Sequence, residues 1–399
     1  MSLLRPHFSR CVLGCMALCL ALTMLYAVPA FGAAPAVGAT PIRVVYGFDR
    51  EFPPFSFEDP GGEPVGFEVD LVRAIFNQPG VVLSTRPLQW ENVMLELSSG
   101  AINITSSMVR TEQREKMFLF ANKPNFLLQM RLFTKIYQRF PSAALLRGQR
   151  VSVEKSSYQH RLLEKFGGMN IKPMEGKLAG IRALYNDEVA AYFGPVPNTY
   201  FLINKMNYGA ITTVGTPLGI TELRFAVNRG RGDIQRLLNQ GMQRIIDSGE
   251  YDRIYRKWFV RDLENNEIIM MTDQAKKAAI PAYAPYEASP QGATVLTATG
   301  KMFSACTVEN AKPELTLSAL SVALGKAIAD GEFELRAALV VSPDGKLQEM
   351  TQEDRQRLFE FGRGILTVDM GEDGTPVAHM VVQKLIKPVT RPTPPLLSE

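Results

Sequence analysis

The segment FPPFSFEDPGGEPVGFEVDL, residues 52–71, lies between stretches with two different hydrophobic patterns. Before it, residues 42–46 form a short, mostly apolar run typical of a strand, and from its last residues onward, 69–76 has the spacing of an amphipathic helix. The pattern repeats at once, with a strand-like run at 81–83 and a helix-like run at 90–98. Such alternation predicts α/β units with mainly parallel strands.

The same alternation returns further along the chain. It covers residues 151–213, a long amphipathic stretch follows at 234–259, and another alternating unit covers 273–389. At 399 residues, with 46% hydrophobic and 21% charged residues, the chain has the balance of an ordinary globular protein. We therefore predict two or three packed α/β domains.

The N-terminal residues differ from the rest of the chain. Arg5 and Arg10 precede an apolar run over residues 11–30, and small residues follow. This layout is typical of a secretory signal peptide, with predicted cleavage between Gly32 and Ala34. An uncleaved membrane anchor is the alternative, because the apolar run approaches spanning length. We predict a periplasmic protein whose only tie to the membrane is its export signal.

Cysteine, histidine and charge exclude several classes of function. Three of the four cysteines lie in the predicted signal peptide, so Cys306 is alone in the mature chain and forms no internal disulfide. His160 and His379 do not have the spacing of a metal site. The formal charge of +4 is small for this length and no basic run appears, so nucleic acid is not an expected partner. We predict neither a metal nor another cofactor.

The opening segment 52–71 resembles the start of the extracellular solute-binding proteins of family 3, which supply amino acids to ABC transporters. Further stretches resemble the same family in the same order: 95–100 with 108–114, 146–153 and 248–259. The resemblance implies a periplasmic-binding-protein-like two-lobe clamp of type II, which closes on a ligand between its lobes. It also implies two crossovers between the lobes, near 132–136 and 223–227.

The resemblance implies a binding site for a small, amino-acid-like carboxylate. Arg114 matches the arginine that holds the ligand carboxylate, a task that suits a planar guanidinium with parallel donors. Ser107, Ser156 and Ser157 match residues whose hydroxyls bind the same carboxylate. Phe52 and Trp90 match the aromatic walls of the site. Asp49 matches an acid that meets the cationic end of a ligand. We expect no catalytic residue in this cleft.

These site residues also have structural interpretations, which stay open. Arg114 fits an exposed helix residue paired with a neighbouring glutamate. Phe52 and Trp90 fit ordinary core aromatics, since apolar residues are more often packed than ligand-facing. The two adjacent serines fit a helix cap, which uses the same backbone N–H groups as an anion site.

One position departs from the family pattern. The second-lobe aspartate that pairs with a ligand's α-ammonium falls within residues 189–195, where Pro195 takes its place. An ammonium buried there without a carboxylate is costly. Either Asp187 or Glu188 substitutes after a shift in register, or the ligand is a carboxylate without the usual amine.

The C-terminal part carries a second resemblance. The stretch CTVENA at 306–311, followed by a long helix-like run, is similar to the cytidine deaminases of the small, usually oligomeric type. Flanking stretches at 282–286, 292–296 and 327–331 extend the likeness. It implies a three-layer α/β/α cytidine deaminase-like domain after the clamp. Such deaminases use zinc to make hydroxide from water and a glutamate to move its proton.

The residues for zinc chemistry are missing from this part. Ser318, Thr351 and Asp354 stand where the resemblance implies three thiolates, and Leu320 stands where it implies the proton-transferring glutamate. Hydroxyls and one carboxylate make a poor zinc site. Of the implied nucleoside contacts only Glu309 remains. We predict a degenerate, catalytically inactive domain.

Together these interpretations give one domain plan and one function. The predicted parts are a signal peptide (1–33), the first clamp lobe (41–131 and 224–262), the second lobe (132–223), a linker (263–272), the degenerate deaminase-like domain (273–389) and a Pro-rich tail (390–399). We predict an exported binding protein for a small carboxylate, which serves an ABC permease or a sensor. The deaminase-like domain would serve assembly or interaction, including a homo-oligomer. The alternatives are an enzyme in the cleft, such as a dehydratase, residual deamination, and a structural protein without a ligand.

Overall fold

The computed structural model describes residues 40–138, 140, 142–287 and 289–386. The predicted signal peptide and the predicted Pro-rich tail lie outside the described residues. Within the described ranges, no helix combines the length and the apolar character needed to cross a bilayer.

The strands of the first part form one large mixed sheet and one small sheet. In chain order they are β1 (Ile42–Asp49), β2 (Glu51–Phe52), β3 (Ser56–Glu58), β4 (Pro64–Val65), β5 (Val81–Leu88), β6 (Ile104–Val109), β7 (Phe118–Phe120), β8 (Phe126–Lys135), β9 (Arg150–Glu154), β10 (Asn170–Met174), β11 (Ala191–Pro195) and β12 (Ile211–Asn228). The large sheet has the order β10-β9-β11-β8-β12-β6-β1-β5 with β7 beside β12, and β2-β3-β4 is separate. Parallel pairing of β1 with β6, and of β9 with β10 and β11, confirms the predicted α/β fold.

Helices cover the sheet between these strands. They are α1 (Phe67–Phe76), α2 (Trp90–Ser99), α3 (Glu112–Met117), α4 (Tyr158–Phe166), α5 (Lys177–Tyr185), α6 (Val196–Lys205), α7 (Gly232–Asp247) and α8 (Glu250–Phe259). We call the part built on β1 and β5–β7, with α1–α3, α7 and α8, the first lobe. The part built on β9–β11, with α4–α6, is the second lobe.

The long strands β8 and β12 join the two lobes. They pair antiparallel from Ile211 opposite Lys135 to Leu223 opposite Phe126. The ladder is irregular between Val214 and Gly219. Because β12 also pairs with β6 and β7 of the first lobe, one continuous strand serves both lobes.

The segment 52–71 builds an aromatic cluster in the first lobe. Phe55 and Phe67 are fully buried, and their rings lie 4.9 Å from Phe126 and 5.0 Å from Phe259, respectively. Gly66 permits the turn into α1, because its φ is +135° and a Cβ there would lie 2.2 Å from the Phe55 carbonyl oxygen. The opening segment is therefore packed against the closing helix α8.

The predicted amphipathic stretch 234–259 consists of two helices. They separate at Ser248 and Gly249, where Gly249 has a φ of +76°. Helices commonly end at a glycine in the left-handed conformation. The helix therefore ends here, although the apolar residues keep their helical spacing across the break.

The C-terminal part forms a second, smaller sheet between helices. Its elements are α9 (Asn265–Ala279), β13 (Gly292–Thr297), β14 (Met302–Cys306), α10 (Ala319–Ala329), β15 (Leu335–Val341), β16 (Leu347–Gln348), α11 (Gln352–Phe361), β17 (Leu366–Met370) and β18 (Pro376–Met380). The strand order is β14-β13-β15-β17-β18, with β16 beside β15. We call this part the C-terminal module.

Alternation along β15 produces cores on both faces of this sheet. Ala338 belongs to the same core cluster as Leu320 of α10, whereas Leu339 belongs to the cluster of Met271 on α9. Successive side chains of a strand point to opposite faces, so helices must cover both. The sheet therefore lies between two helical layers, in an α/β/α arrangement.

The segment 263–272, predicted as a linker, is mostly helical. It contains the start of α9, where Glu264 and Glu267 form a reciprocal capping box. Met271 is fully buried in the core of the C-terminal module. The linker prediction is wrong for this segment because its polar first turn caps a helix instead of forming a loop.

The C-terminal module contacts both the first lobe and the strands that join the lobes. Arg363 donates to Asp252 of α8 at 2.8 and 3.0 Å, and its guanidinium lies 4.9 Å from the centre of the Tyr251 ring. Arg131 of β8 lies 3.6 Å from Glu334, which precedes β15. Tyr255 and Val260 of the clamp pack against the core cluster of Met271, so the module contacts the clamp through charged as well as apolar groups.

Candidate ligand-binding cleft and deaminase-like site

Arg114 lies on the short helix α3, directly after β6. Its guanidinium donates to the Val109 carbonyl at 2.9 Å, while Thr111 caps the helix by accepting from the Arg114 N–H at 3.3 Å. Burial, and then the nearby Arg161 guanidinium of α4, lower the pKa of Arg114. Among the described residues no carboxylate pairs with Arg114. Arg114 and Arg161, from different lobes, therefore repel each other, and within the described ranges no acid neutralises Arg114.

Ser107 is held by an acid that the sequence analysis did not single out. Glu68 is fully buried and accepts from the Ser107 hydroxyl at 2.5 Å, the Ser107 N–H at 3.1 Å and the Asn125 amide at 2.6 Å. Burial raises the pKa of Glu68, and these hydrogen bonds oppose the rise. Ser107 has a φ of +57°, so Glu68 fixes it in an uncommon backbone conformation. A ligand contact for Ser107 stays a prediction.

Ser156 and Ser157 precede α4 and serve its first turn. The Ser157 hydroxyl accepts from the His160 N–H at 3.1 Å and donates to the Glu154 carbonyl at 2.6 Å. The Ser156 N–H donates to His160 Nδ1 at 3.3 Å, with a φ of +57° at Ser156. The capping interpretation of Ser157 is confirmed, and a ligand contact for either serine stays a prediction.

Asp49 and Phe52 lie next to a lysine of the other lobe. The Lys177 ammonium, at the start of α5, lies 5.5 Å from the centre of the Phe52 ring and 3.0 Å from a Glu154 carboxylate oxygen. Burial raises the pKa of Asp49, against smaller lowering effects of the Glu51 N–H and the Lys177 charge. The structure thus brings Asp49 and Phe52 together with Lys177 and Glu154, two residues that the sequence analysis missed.

Trp90 starts α2 and packs on the first-lobe core. It is partly buried against the cluster that contains Val93 and Leu97. This contact agrees with the core interpretation of Trp90, and its role as a ligand wall stays a prediction.

The acid proposed to replace the second-lobe aspartate is used elsewhere. Asp187 pairs with Lys135 at 2.5 Å, before β11 begins, whereas Pro195 ends that strand. Glu188 also precedes β11 and faces Asn186 at 3.4 Å. The hypothesis that a shift in register brings Asp187 or Glu188 to the position of Pro195 is therefore wrong, because both acids precede β11 and Pro195 ends it.

The two lobes contact each other across the cleft. The Asn198 amide of α6 donates to the Pro53 carbonyl, and the rings of Phe57 and Phe201 lie 5.5 Å apart. Lys177 adds its contact with Phe52. These contacts describe a clamp with its lobes closed on one another.

The three residues at the implied zinc positions meet in the C-terminal module. Ser318 caps α10 and donates to Asp354 at 2.7 Å, and Thr351 caps α11 by accepting from the Asp354 N–H at 3.2 Å. Arg357 pairs with the Asp354 carboxylate at 2.7 Å. Leu320 is fully buried in the core beside them. The starts of two helices thus converge on a hydrogen-bonded, charge-balanced group.

Glu309 supports a loop of the C-terminal module. Its carboxylate accepts from the backbone N–H groups of Tyr286 at 2.7 Å, Glu287 at 3.1 Å and Ser289 at 3.4 Å. Burial raises the pKa of Glu309, but these donors lower it further, so the pKa lies below its usual value. Throughout the described part of the chain, no group of three His, Cys, Asp or Glu side chains is placed to hold a metal ion.

The C-terminal module matches a known protein family over part of its length. Residues 242–353 match the model of the cytidine and deoxycytidylate deaminase zinc-binding region. This match begins before residue 273, where the deaminase-like domain was predicted to start, and it includes α8 and α9. A deaminase-like C-terminal part is therefore confirmed.

Similar proteins of known type cover the clamp. The putative ABC transporter arginine-binding protein 2 of Escherichia coli is 25% identical over 234 residues, which are 56% of this chain and 93% of that protein. The histidine-binding periplasmic protein of Salmonella typhimurium is 27% identical over 266 residues, which are 61% of this chain and 98% of that protein. The structure of the probable amino-acid ABC transporter extracellular-binding protein ytmK from Bacillus subtilis has a TM-score of 0.52 at 21% identity. The match covers 55% of this chain and 98% of that protein. Residues 44–261 match the family model itself, so the chain belongs to the bacterial extracellular solute-binding proteins, family 3.

Proposed function

We propose that this chain is an exported clamp that captures a small, amino-acid-like carboxylate for an ABC permease or a sensor. Arg114 carries the proposal, because its half-buried guanidinium is fixed by Val109 and lacks a carboxylate partner among the described residues. A buried cation without a counter-charge is costly, and a ligand carboxylate removes that cost. The family, and relatives named for binding arginine and histidine, support an amino-acid-like ligand.

The other site residues have complementary roles in this proposal. The N–H groups at the start of α4, next to Ser156 and Ser157, hold the ligand carboxylate together with Arg114, because helix N-termini favour anions. Asp49, Phe52 and Trp90 face the opposite end of the ligand, and Ser107 contributes through the backbone conformation that Glu68 imposes. Asp187 is paired with Lys135, and Glu154, at the end of the neighbouring strand β9, is paired with Lys177. Among the described residues no unpaired second-lobe acid therefore lies next to Pro195 to receive an α-ammonium. We therefore include carboxylates without an amine among the ligands.

A thermal-shift screen tests this proposal with the purified mature chain. The compounds are the amino acids, 2-oxo acids and small dicarboxylates. A ligand at 100 times its dissociation constant stabilises the folded state by about 2.7 kcal/mol, which corresponds to a rise of roughly 5–10 °C for a domain of this size. We expect at least one compound to give such a rise. If none of them raises the melting temperature, the proposed binding function is wrong.

For the C-terminal module we propose a non-catalytic role in assembly or interaction. The hydrogen bonds among Ser318, Thr351 and Asp354 form a satisfied network at the implied zinc positions, with Arg357 as the counter-charge. Leucine at position 320 transfers no proton. The contact of Arg363 with α8 supports a module that is packed onto its own clamp.

Zinc analysis tests the non-catalytic role. We expect the purified protein to contain no stoichiometric zinc by plasma mass spectrometry, even after exposure to the metal. The combined variant Ser318→Cys, Thr351→Cys and Asp354→Cys should take up about one zinc ion per chain, because three thiolates would then meet at two helix starts. Thr351→Cys with Asp354→Cys alone is the control and should bind zinc more weakly. Stoichiometric zinc in the unmodified protein would overturn the non-catalytic role.

A further inference from the structure

Lys177 lies in the kind of environment that attracts a positively charged group of a ligand. It is the first residue of α5 in the second lobe, and its ammonium lies 5.5 Å from the centre of the Phe52 ring in the first lobe. The same ammonium is 3.0 Å from Glu154 Oε1. Only a fifth of either charged side chain is exposed, at 20% for Lys177 and 22% for Glu154. The pair is thus largely shielded from solvent at the contact between the lobes.

The groups around the Lys177 ammonium are those that recognise cations. An aromatic face attracts a cation within about 6 Å of its centre, and the attraction grows when solvent is excluded. Glu154 adds a carboxylate, and Asp49 adds a second one within range of the lysine charge. Gln159 also donates to the other Glu154 oxygen at 2.8 Å, so each oxygen of this carboxylate accepts a hydrogen bond. The Lys177 ammonium therefore occupies a place that could otherwise accept a cationic group of a ligand.

Resting on the proposed function, we propose that Lys177 determines specificity by excluding ligands with a cationic side chain. Its ammonium takes the place next to Phe52 and Glu154 that a guanidinium or a second ammonium would occupy. A cationic ligand would have to displace the lysine from Glu154 before it could occupy this place. Neutral and acidic side chains do not compete for the Glu154 carboxylate. The clamp therefore selects carboxylates with a neutral or acidic second end, unlike its relative named for arginine binding.

Calorimetric titration with charge-matched ligands tests this inference. The probes are L-arginine, L-glutamine and L-glutamate, together with 4-guanidinobutanoate and glutarate, which lack the α-amine. We expect the unmodified protein to bind the neutral or acidic members at least about tenfold more tightly than the cationic ones, since the cationic members must compete with Lys177 for the Glu154 carboxylate. Lys177→Met keeps an unbranched, apolar side chain of similar length and removes the charge. It should bind the cationic probes at least about tenfold more tightly than the unmodified protein does.

Lys205→Met is the matched control, because this exposed lysine of α6 lies in the same lobe and its removal changes the net charge equally. It should leave all affinities unchanged. Tighter binding of L-arginine than of L-glutamate to the unmodified protein would overturn the inference, and so would an unchanged preference in Lys177→Met. The proposed function fails separately, and this inference with it, if neither protein binds any of the probes or any compound of the thermal-shift screen. Lys177→Gln repeats the test if the methionine variant is unstable.

Discussion

Replacing Arg114 by alanine is expected to weaken binding of the ligand found for the unmodified protein at least about 30-fold. The guanidinium is oriented by the Val109 carbonyl and has no carboxylate partner within the described residues. Without the guanidinium, the ligand carboxylate would be buried in a closed clamp with no charged donor. Removing one partner of a buried charge pair is strongly unfavourable. Isothermal titration calorimetry of both proteins measures the difference.

The conservative variant separates charge from geometry at this position. Arg114→Lys keeps the positive charge but loses the planar, two-pronged donor, so we expect an intermediate affinity. Arg110→Ala is the matched control, because Arg110 is half-exposed between β6 and α3 and is already paired with Glu115. Its affinity should stay within about threefold of the unmodified value, as expected for an exposed pair. If Arg114→Ala binds as tightly as the unmodified protein, Arg114 is not the carboxylate anchor.

The largest effect on stability is expected at Arg355 of the C-terminal module. This side chain is fully buried and donates to both oxygens of Asp369, at 3.2 and 3.3 Å. It also donates to Thr367 at 3.1 Å and to the Met350 carbonyl at 3.0 Å. Arg355→Ala removes one partner of a buried ion pair and should lower the free energy of unfolding by about 3–5 kcal/mol. Urea titration followed by circular dichroism measures this change.

Two further variants show whether the uncompensated charge is the cause. Arg355→Met combined with Asp369→Leu removes both charges and should recover part of the loss, since apolar replacement of a buried pair is often tolerated. Arg253→Ala removes an exposed arginine paired with Glu250 and should change the free energy of unfolding by less than about 1 kcal/mol. Equal effects of Arg355→Ala and Arg253→Ala would contradict this account of the buried pair.

Much of the fold follows from local patterns in the sequence. The alternating apolar runs predicted α/β units, because strand and helix periods of two and 3.6 residues are legible without any long-range information. The prediction of mainly parallel strands does not hold for the sheet of the C-terminal module, where β15 and β17 pair in parallel and the other described pairs are antiparallel. Local patterns misled where the ends of elements matter. The polar turn at 263–267 caps α9 but has the composition of a linker, and the apolar spacing across 234–259 hides the break at Gly249.

The candidate site was predictable only in part. Arg114 was found through the order of family motifs around it, and the structure fixes this side chain in a half-buried position. Lys177 and Glu154 were missed because their role depends on the approach of Phe52 from the other lobe, and no local spacing encodes that contact. Glu68 lies inside the segment 52–71, yet only the folded structure shows that it holds Ser107.

The central claim is that the clamp reversibly binds one small carboxylate per chain without changing it. Isothermal titration of the mature protein with the strongest compound from the screen, followed by mass analysis of the compound, tests this claim most directly. We predict saturable binding with one ligand per chain, a dissociation constant of about 10 µM or tighter, equivalent to roughly −7 kcal/mol, and recovery of the ligand unchanged. The absence of saturable heat with every compound, or conversion of the ligand into a product, would contradict it.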